Sequence, residues 1–567
     1  MDLPPKRRRR FGDLPLEILL TLLSAFLYAL AFPSFLNDNG FPFLATFALI
    51  PMLYAVDRTR WGYAPLLGFL FGFSYLAIFN YWLSTFHPMA IFIAPILKGF
   101  ELMLYFPLMK AAENLPKKGR ALLQSCSYIA YIYVGQLGFL GYPYGNLSSA
   151  FATWLPLIQI SSVFGSWAIS LLMFIPQSYV ADFLARRHTY GISLSSHLEE
   201  TEGGIYVYLA LFISTLVFGF HTISYWQMQK PNKVIKIATV QHNSDTWKGG
   251  YDQYLKNFLT MKQLTEESLA ENPDMVMWSE TAFVPSVAWH TAHPTDPKTS
   301  KLVQDFINFG KSLPCPLVTG NPEGVIKDPT MGTWDKNGNW NRIDYNSVIL
   351  FADGKIYDTY RKQHLVPFTE YFPYQKQMPR FYQWLKNHDF HWWLPGKKSK
   401  IFSYDGLDFS TSICFEDIFG SISAKFVRQG SDLLLNLSND SWSNAVSAEM
   451  QHMRLGTFRA IENRRAVVRS TNSGITCMIT PWGQVIDPIK PFTCNYHVYE
   501  VPIYSQKSFG LTTYSKHDDW FARIIFIITC ISLVFQFTKA ASATYKKKQH
   551  AKTITSQESG KDMESLS

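Results

Sequence analysis

Apolar and polar positions divide the chain into a largely apolar first part, a longer mixed part and one last apolar run. Apolar stretches lie near 15–32, 41–55, 62–83, 89–112, 121–141, 153–183, 205–222 and 521–538. Crossing about 30 Å of hydrocarbon takes about 20 apolar residues in a helix, so these stretches predict about eight spans. The second is short, and the sixth is long enough to tilt or to break at Pro176. From residue 233 the pattern changes to short β-branched runs at 234–240, 275–278, 317–320, 347–351, 409–414, 433–437, 467–470 and 474–480, which read as strands. Helical periodicity at 251–271, 297–312 and 445–464 alternates with them, the arrangement of a layered α/β domain with buried strands.

Basic residues orient the spans. Lys and Arg occupy the N-terminus (Lys6 to Arg10) and every second loop after it, at Arg58 and Arg60, at Lys117, Lys118 and Arg120, and at Arg186 and Arg187. The intervening loops 33–40, 84–88 and 142–152 have none. Basic loops stay cytoplasmic, so seven crossings deliver residue 223 onward to the outer side, and a last span returns Lys539 and Lys546 to Lys548. The expected organisation is a basic cytoplasmic N-terminus (1–11), a transmembrane domain (12–222), an extracytoplasmic domain (223–516), a final span (517–540) and a disordered cytoplasmic tail (541–567). A signal peptide fits residues 6–32 poorly, since the apolar run is long and no small-residue cleavage site precedes Pro33.

The net charge of +9 sits mainly at the ends and in short loops, with no aromatic-interleaved basic face, which argues against a nucleic-acid partner. Six cysteines lack paired metal-ligand spacing, although a bridge among Cys315, Cys477 and Cys494 stays open. His290 with His293, and His388 with His391, lack carboxylate or cysteine partners and read as loop histidines. The aromatic segment 373–398 reads either as a lid that dips rings into the lipid interface or as a loop packed on the domain. Lys98 and Glu101 are the visible intramembrane ionisable pair, placed either to neutralise one another or to face a cavity.

Three residues at strand ends carry chemistry. Cys414 ends an apolar run and precedes Glu416 and Asp417. Alone it would read as an inert core thiol, but carboxylates beside a buried thiol have little structural purpose outside a site. A turn leading into a helix would lower its pKa through backbone N–H groups. Glu280 leaves the apolar run 275–278, poised for a raised pKa and general-base work. Lys362 follows a hairpin-like segment and precedes apolar and proline residues that would fix it. A base, a cation and a thiol compose an acyl-transfer centre, and its attachment to a bilayer points to a lipid acyl donor.

These segments resemble the nitrilase superfamily, whose αββα fold uses a Glu-Lys-Cys triad. The chain is most similar to that superfamily's membrane-embedded branch, apolipoprotein N-acyltransferase. The resemblance rests on Val240-Gln-His-Asn, Trp278-Ser-Glu-Thr, the run from Tyr360 to Glu370, Ile413-Cys-Phe-Glu, Leu437-Ser-Asn-Asp-Ser-Trp, the run from Val468 to Thr476, and Gly510-Leu-Thr-Thr-Tyr, in family order over nearly the whole chain. It implies a polytopic α-helical membrane domain of about eight spans plus an α/β nitrilase-like αββα sandwich domain. It also implies Glu280 as base, Lys362 as oxyanion cation, Cys414 as nucleophile, and Glu370, Glu416, Asn439, Trp442 and Trp247 as supporting or substrate-binding positions. Phe415, Ser443-Asn444 and Thr513 depart from the family pattern.

The implied activity moves a fatty acyl chain from a membrane phospholipid, through a cysteine thioester, to the N-terminal cysteine α-amine of a diacylglyceryl lipoprotein at a bacterial inner membrane, with the catalytic domain in the periplasm and no metal or organic cofactor. The competing readings are a membrane-tethered nitrilase-like amidase or hydrolase, and a non-catalytic transporter or receptor.

Overall fold

The computed structural model describes residues 13–85, 89–114, 119–294, 296–334, 341–386, 392–539, 542 and 545. Lys6 to Arg10, Lys117, Lys118, His388, His391, Lys546 to Lys548 and the tail from 551 lie outside the described residues.

Among the described residues five helices are long and apolar enough to cross a bilayer: Trp61–Phe79, Ala90–Lys110, Trp167–Tyr190, Leu194–Met228 and Trp520–Lys539. Fewer helices therefore qualify than the eight stretches expected. Leu14–Leu30 has 17 residues and Arg120–Val134 has 15, while the stretch 41–55 resolves into a 3-10 turn at Pro42–Thr46 and the nine-residue helix Ile50–Arg58. The sixth stretch breaks, but not at Pro176, which lies inside Trp167–Tyr190. The break is at Gly165, whose φ of 67° ends the short helix Ser161–Phe164. A Cβ there would stand 2.7 Å from the Tyr514 ring, so the glycine serves both the left-handed turn and the close approach. Large apolar side chains such as Leu104, Val217, Phe220 and Ile531 point outward from these helices, as a lipid solvent permits.

One end of the bundle gathers the ionic ends of its helices. Arg58 pairs with Asp13 (3.5 Å), Lys110 Nζ donates to the Val56 carbonyl (3.0 Å), and Asp182 pairs with Arg120 (3.2 Å) and Arg186 (3.7 Å). From that end Leu194–Met228 runs 35 residues, about 52 Å at 1.5 Å per residue, and delivers Trp226 against Tyr504 and Phe509 of the second domain.

The second domain holds two six-stranded sheets face to face. The first runs Asn495–Ile503, Lys233–Gln241, Met275–Met277, Leu317–Gly320, Ser347–Ala352, Lys355–Arg361 in spatial order, and the second Val485–Ile486, Cys477–Ile479, Val467–Thr471, Leu433–Ser438, Leu407–Ile413, Phe402–Tyr404. Strand alternation explains the layers. Ile235, Ile237, Met275 and Met277 face the other sheet and its Ile413, Leu435 and Leu437, whereas Ala238, Val240, Val276 and Trp278 face Phe258, Met261, Phe306 and Phe309 of the helices Tyr251–Ser268 and Pro297–Ser312. Gly420–Arg428 and Val446–Asn463 belong to the second sheet's side, completing an αββα sandwich.

Helix Val446–Asn463 is buried along nearly its whole length because it serves two cores. Met453, Leu455 and Ala460 pack into the sandwich, while Phe458 and Ile461 pack into the helical bundle. Gln451 Nε2 donates to the carbonyls of Pro33 (2.9 Å) and Phe79 (3.2 Å), and Arg454 donates to that of Asn39 (3.0 Å). The sandwich thus sits on the bundle end formed by the loops without Lys or Arg. All six cysteines are free, so no bridge joins Cys315, Cys477 and Cys494.

Candidate active site

Three strand ends bring Glu280, Lys362 and Cys414 together in the interior. Glu280 stands three residues past Met275–Met277, in a turn where Thr281 has a φ of 44°. That turn lies across Gly320, where a Cβ would be 2.3 Å from the Thr281 nitrogen, so only glycine lets it close. Lys362 directly follows Lys355–Arg361 and is fixed by its own N–H, which donates to the Asn346 carbonyl (2.9 Å). Cys414 is not the last strand residue but the first of a 3-10 turn, Cys414–Ile418, with a φ of 49°. A left-handed non-glycine residue costs about 1–2 kcal/mol. The turn holds it there through the Ile413 N–H, which donates to Glu416 Oε2 (2.9 Å).

The polar contacts converge on Glu280. Its Oε1 accepts from Asn346 Nδ2 (2.8 Å) and Lys362 Nζ (3.3 Å), and its Oε2 accepts from the Asn439 N–H (2.9 Å). Lys362 Nζ also donates to Glu370 Oε1 (2.9 Å), and Asn346 Nδ2 reaches the same oxygen (3.0 Å). Glu370 is held in turn by the Val366 N–H (2.7 Å). Burial raises the Glu280 pKa, with Lys362 opposing and Glu370 reinforcing. Burial works against the Lys362 ammonium, but Glu280, Glu370 and Cys414 together keep its pKa raised.

The thiol departs from expectation. Burial pushes the Cys414 pKa well up and Glu280 adds to the rise, with Lys362 opposing, so the turn's N–H groups do not produce a depressed value. In the resting state the site holds a thiol beside a carboxylate whose own pKa is raised. The two changes oppose one another: the raised thiol pKa keeps the proton on sulfur, while the raised Glu280 pKa makes that carboxylate a better acceptor for it.

The other expected positions divide. Glu416 is completely buried, and its oxygens are occupied by the N–H groups of Gln363 (2.7 Å), His364 (3.1 Å) and Ile413 and by the Tyr360 phenol (2.9 Å). It ties the lysine loop to the cysteine turn and acts through them. Asn439 serves Glu280 through its backbone. Trp442 sits at the seam with the bundle, its ring 5.3 Å from Trp82 and its carbonyl accepting from Thr85 Oγ1 (3.1 Å). Trp247 is 63% exposed on a loop whose Thr246 Oγ1 donates to Asn439 Oδ1 (3.2 Å). Asp417 turns away from the thiol to His452 and Arg469. Asn346, Ser438, Asp440 and His452 escaped the sequence reading; only the Ser-Asn-Asp run pointed near two of them.

The described part of the aromatic segment packs on itself and on the bundle and leaves some rings exposed. Phe372, Tyr382 and Trp392 pack on one another and Tyr374 meets Phe139 of the bundle, while Phe381 and Trp384 are exposed. Lys98 donates to both oxygens of Glu101 (3.0 Å each), so the pair neutralises itself at the wall of a tyrosine-rich cavity of ≈ 60 Å³. Among the described residues no cluster of His, Cys, Asp or Glu is placed to hold a metal ion.

Residues 236–503 match the family model for carbon-nitrogen hydrolase, and residues 24–177 match that for the apolipoprotein N-acyltransferase N-terminal domain. The chain is 34% identical to "Apolipoprotein N-acyltransferase 1" of Treponema denticola over 93% of this chain and 97% of that protein. The chain belongs to the apolipoprotein N-acyltransferase family. It is also 36% identical to "Apolipoprotein N-acyltransferase 1" of Treponema pallidum, over 88% of this chain and 91% of that protein. Among solved structures, Nit3 of Saccharomyces cerevisiae, a member of branch 10 of the nitrilase superfamily, covers 48% of this chain and 91% of its own at a TM-score of 0.34 and 20% identity. This N-acyltransferase family member is a membrane protein with a nitrilase-like domain, and the described geometry brings Glu280, Lys362 and Cys414 together in that domain.

Proposed function

We propose that this protein transfers a fatty acyl chain from a membrane phospholipid to the N-terminal cysteine α-amine of a diacylglyceryl lipoprotein. The observation that carries the reading is the buried Glu280–Lys362 pair beside the Cys414 thiol, in a domain seated on a helical bundle. Glu280 takes the Cys414 proton, and the sulfur attacks the ester carbonyl of the phospholipid. Lys362 and a backbone N–H steady the oxyanion. The ester C–O bond breaks, the departing alkoxide takes the proton back from Glu280, and a lysophospholipid leaves an acyl-thioester on Cys414. The α-amine then attacks the thioester, its proton passes to Glu280, and the returning thiolate recovers it as the amide forms. Glu370 holds Lys362, and Glu416 holds the turn.

Orientation follows from charge. The ion-paired end of the bundle, with Arg58, Lys110, Arg120 and Arg186, belongs to the cytoplasm, and the sandwich at the opposite end belongs to the periplasmic side of an inner membrane. Residues 12–222 and 517–540 form the membrane body in this scheme, and 223–516 the catalytic one.

Incubation of the purified protein with phospholipid and a diacylglyceryl lipopeptide tests the reading. The expected results are an acyl adduct on the peptide bearing Cys414, an amide product, and loss of both in Cys414→Ala. Free fatty acid with no amide would assign a hydrolase instead, and a Cys414→Ala protein as active as the wild type would remove the assignment.

A further inference from the structure

Behind Cys414 lies a buried ionic chain that the proposed reaction does not use. The imidazole of His452 stands between two carboxylates, Nδ1 at 2.9 Å from Asp440 Oδ1 and Nε2 at 2.8 Å from Asp417 Oδ1. Both carboxylates are acceptors, so both ring nitrogens must carry protons, which makes the ring an imidazolium. Arg469 pairs with Asp417 and lies 3.7 Å from Asp440. Two anions and two cations balance in the interior, as a buried cluster must. The other ionisable groups facing it are Glu449 of the same helix, whose Oε2 and Asp440 Oδ2 approach the same point over Gly474, Tyr144 of the bundle, its ring 6.3 Å from His452, Cys477 of the neighbouring strand toward Arg469 and Asp417, and Glu280 toward Asp440.

The chain ends on the nucleophile. Strand Leu433–Ser438 runs parallel to Leu407–Ile413 with Leu437 beside Ile413, which places Ser438 beside Cys414. The Ser438 hydroxyl donates to Asp440 Oδ1 (2.7 Å) from the strand end beside the Cys414 turn. A hydroxyl has one proton. With a thiol, the S–H can donate to Ser438 while Ser438 donates to Asp440; with a thiolate, the serine proton must turn to sulfur. How readily it turns depends on how tightly Asp440 holds it, and that depends on the cations already spent on Asp440.

We propose that His452 is a positioning residue that sets the acidity of Cys414 through Asp440 and Ser438. Its imidazolium weakens the grip of Asp440 on the serine proton and so releases that proton to the thiolate. The inference rests on Cys414 being the nucleophile, and transfer surviving in Cys414→Ala would remove that reading alone.

The test is the pH dependence of iodoacetamide alkylation at Cys414, followed on its peptide by mass spectrometry in detergent-solubilised protein, since Cys494 and Cys530 are exposed and react separately. His452→Gln is expected to raise the midpoint by about one pH unit, about tenfold less thiolate at a fixed pH below it. Ser438→Ala is expected to raise it as well, and in that background His452→Gln adds nothing. An unshifted midpoint in His452→Gln, or the same added shift with Ser438 absent, overturns the proposal. Should His452→Gln not fold, histidine-labelled NMR of the wild-type protein decides: an imidazolium at pH 8 supports the chain, and a neutral ring there sinks it.

Discussion

Glu370 holds the Lys362 ammonium at 2.9 Å, closer than the 3.3 Å that separates the same nitrogen from Glu280. The cation is therefore anchored by a carboxylate other than the proposed base, which leaves Glu280 freer to accept a proton. Burial raises the Glu280 pKa, and Glu370 adds to that rise against the pull of Lys362.

Removing the negative charge of Glu370 should weaken that arrangement. In Glu370→Gln the acid limb of the transfer-rate profile is expected to move to lower pH, because the Glu280 pKa loses one of its upward contributions. The rate should fall by about 10- to 100-fold, within the range of a misplaced general base. A pH-rate profile with unchanged limbs would contradict the anchoring role.

Asn346 spans Glu280 and Glu370 with one amide nitrogen. Asn346→Leu removes both hydrogen bonds and should cut transfer by about tenfold or more, bonds to charged groups contributing roughly 1.5 kcal/mol or more each. Thermal unfolding and transfer rates measured side by side check it, the melting temperature being expected to change less than the activity.

Glu416 is expected to behave as a structural knot. Glu416→Ala would strand three buried N–H groups and should cost about 3 kcal/mol or more of stability. Glu416→Gln keeps an acceptor oxygen and should cost less. Denaturation midpoints of the two variants in the same detergent give the comparison, and equal midpoints would contradict the knot.

His452 makes stability depend on alkaline pH. Burial works against its charge, but Asp440 and Asp417 bring its folded-state pKa up to about 10, from 6.5. The folded state therefore holds more protons than the unfolded one between those values, so the stabilisation is complete below pH 6.5 and is lost as pH rises toward 10. Melting temperatures across that window should fall more steeply in the wild type than in His452→Gln.

Much of the site was legible because its chemistry lies in short local runs. The helix 297–312 and the strand 317–320 appear where periodicity placed them, and Glu280, Lys362 and Cys414 each follow a strand, as the apolar runs before Glu280 and Cys414 and the hairpin-like segment before Lys362 implied. Trp247 is expected as a substrate-contacting position, and what the chain's local pattern does not give is its place, largely exposed on a loop tied to the site through Thr246. Asn346 and His452 carried no signal, since an amide before a strand and a histidine within a helix are common everywhere.

The sequence by itself determined the apolar stretches, the alternation of basic loops, the layered α/β domain and the strand-end places of Glu280, Lys362 and Cys414, because each depends on side chains near in the chain or on simple transfer into lipid. Tertiary structure alone decided that the sixth stretch breaks at Gly165, that Glu416 is an anchor, that burial raises the Cys414 thiol pKa, and that Ser438, Asp440, His452, Asp417 and Arg469 form one buried chain. Those outcomes turn on which distant groups share a dry interior, where desolvation and pairing outweigh anything a residue's neighbours in sequence impose.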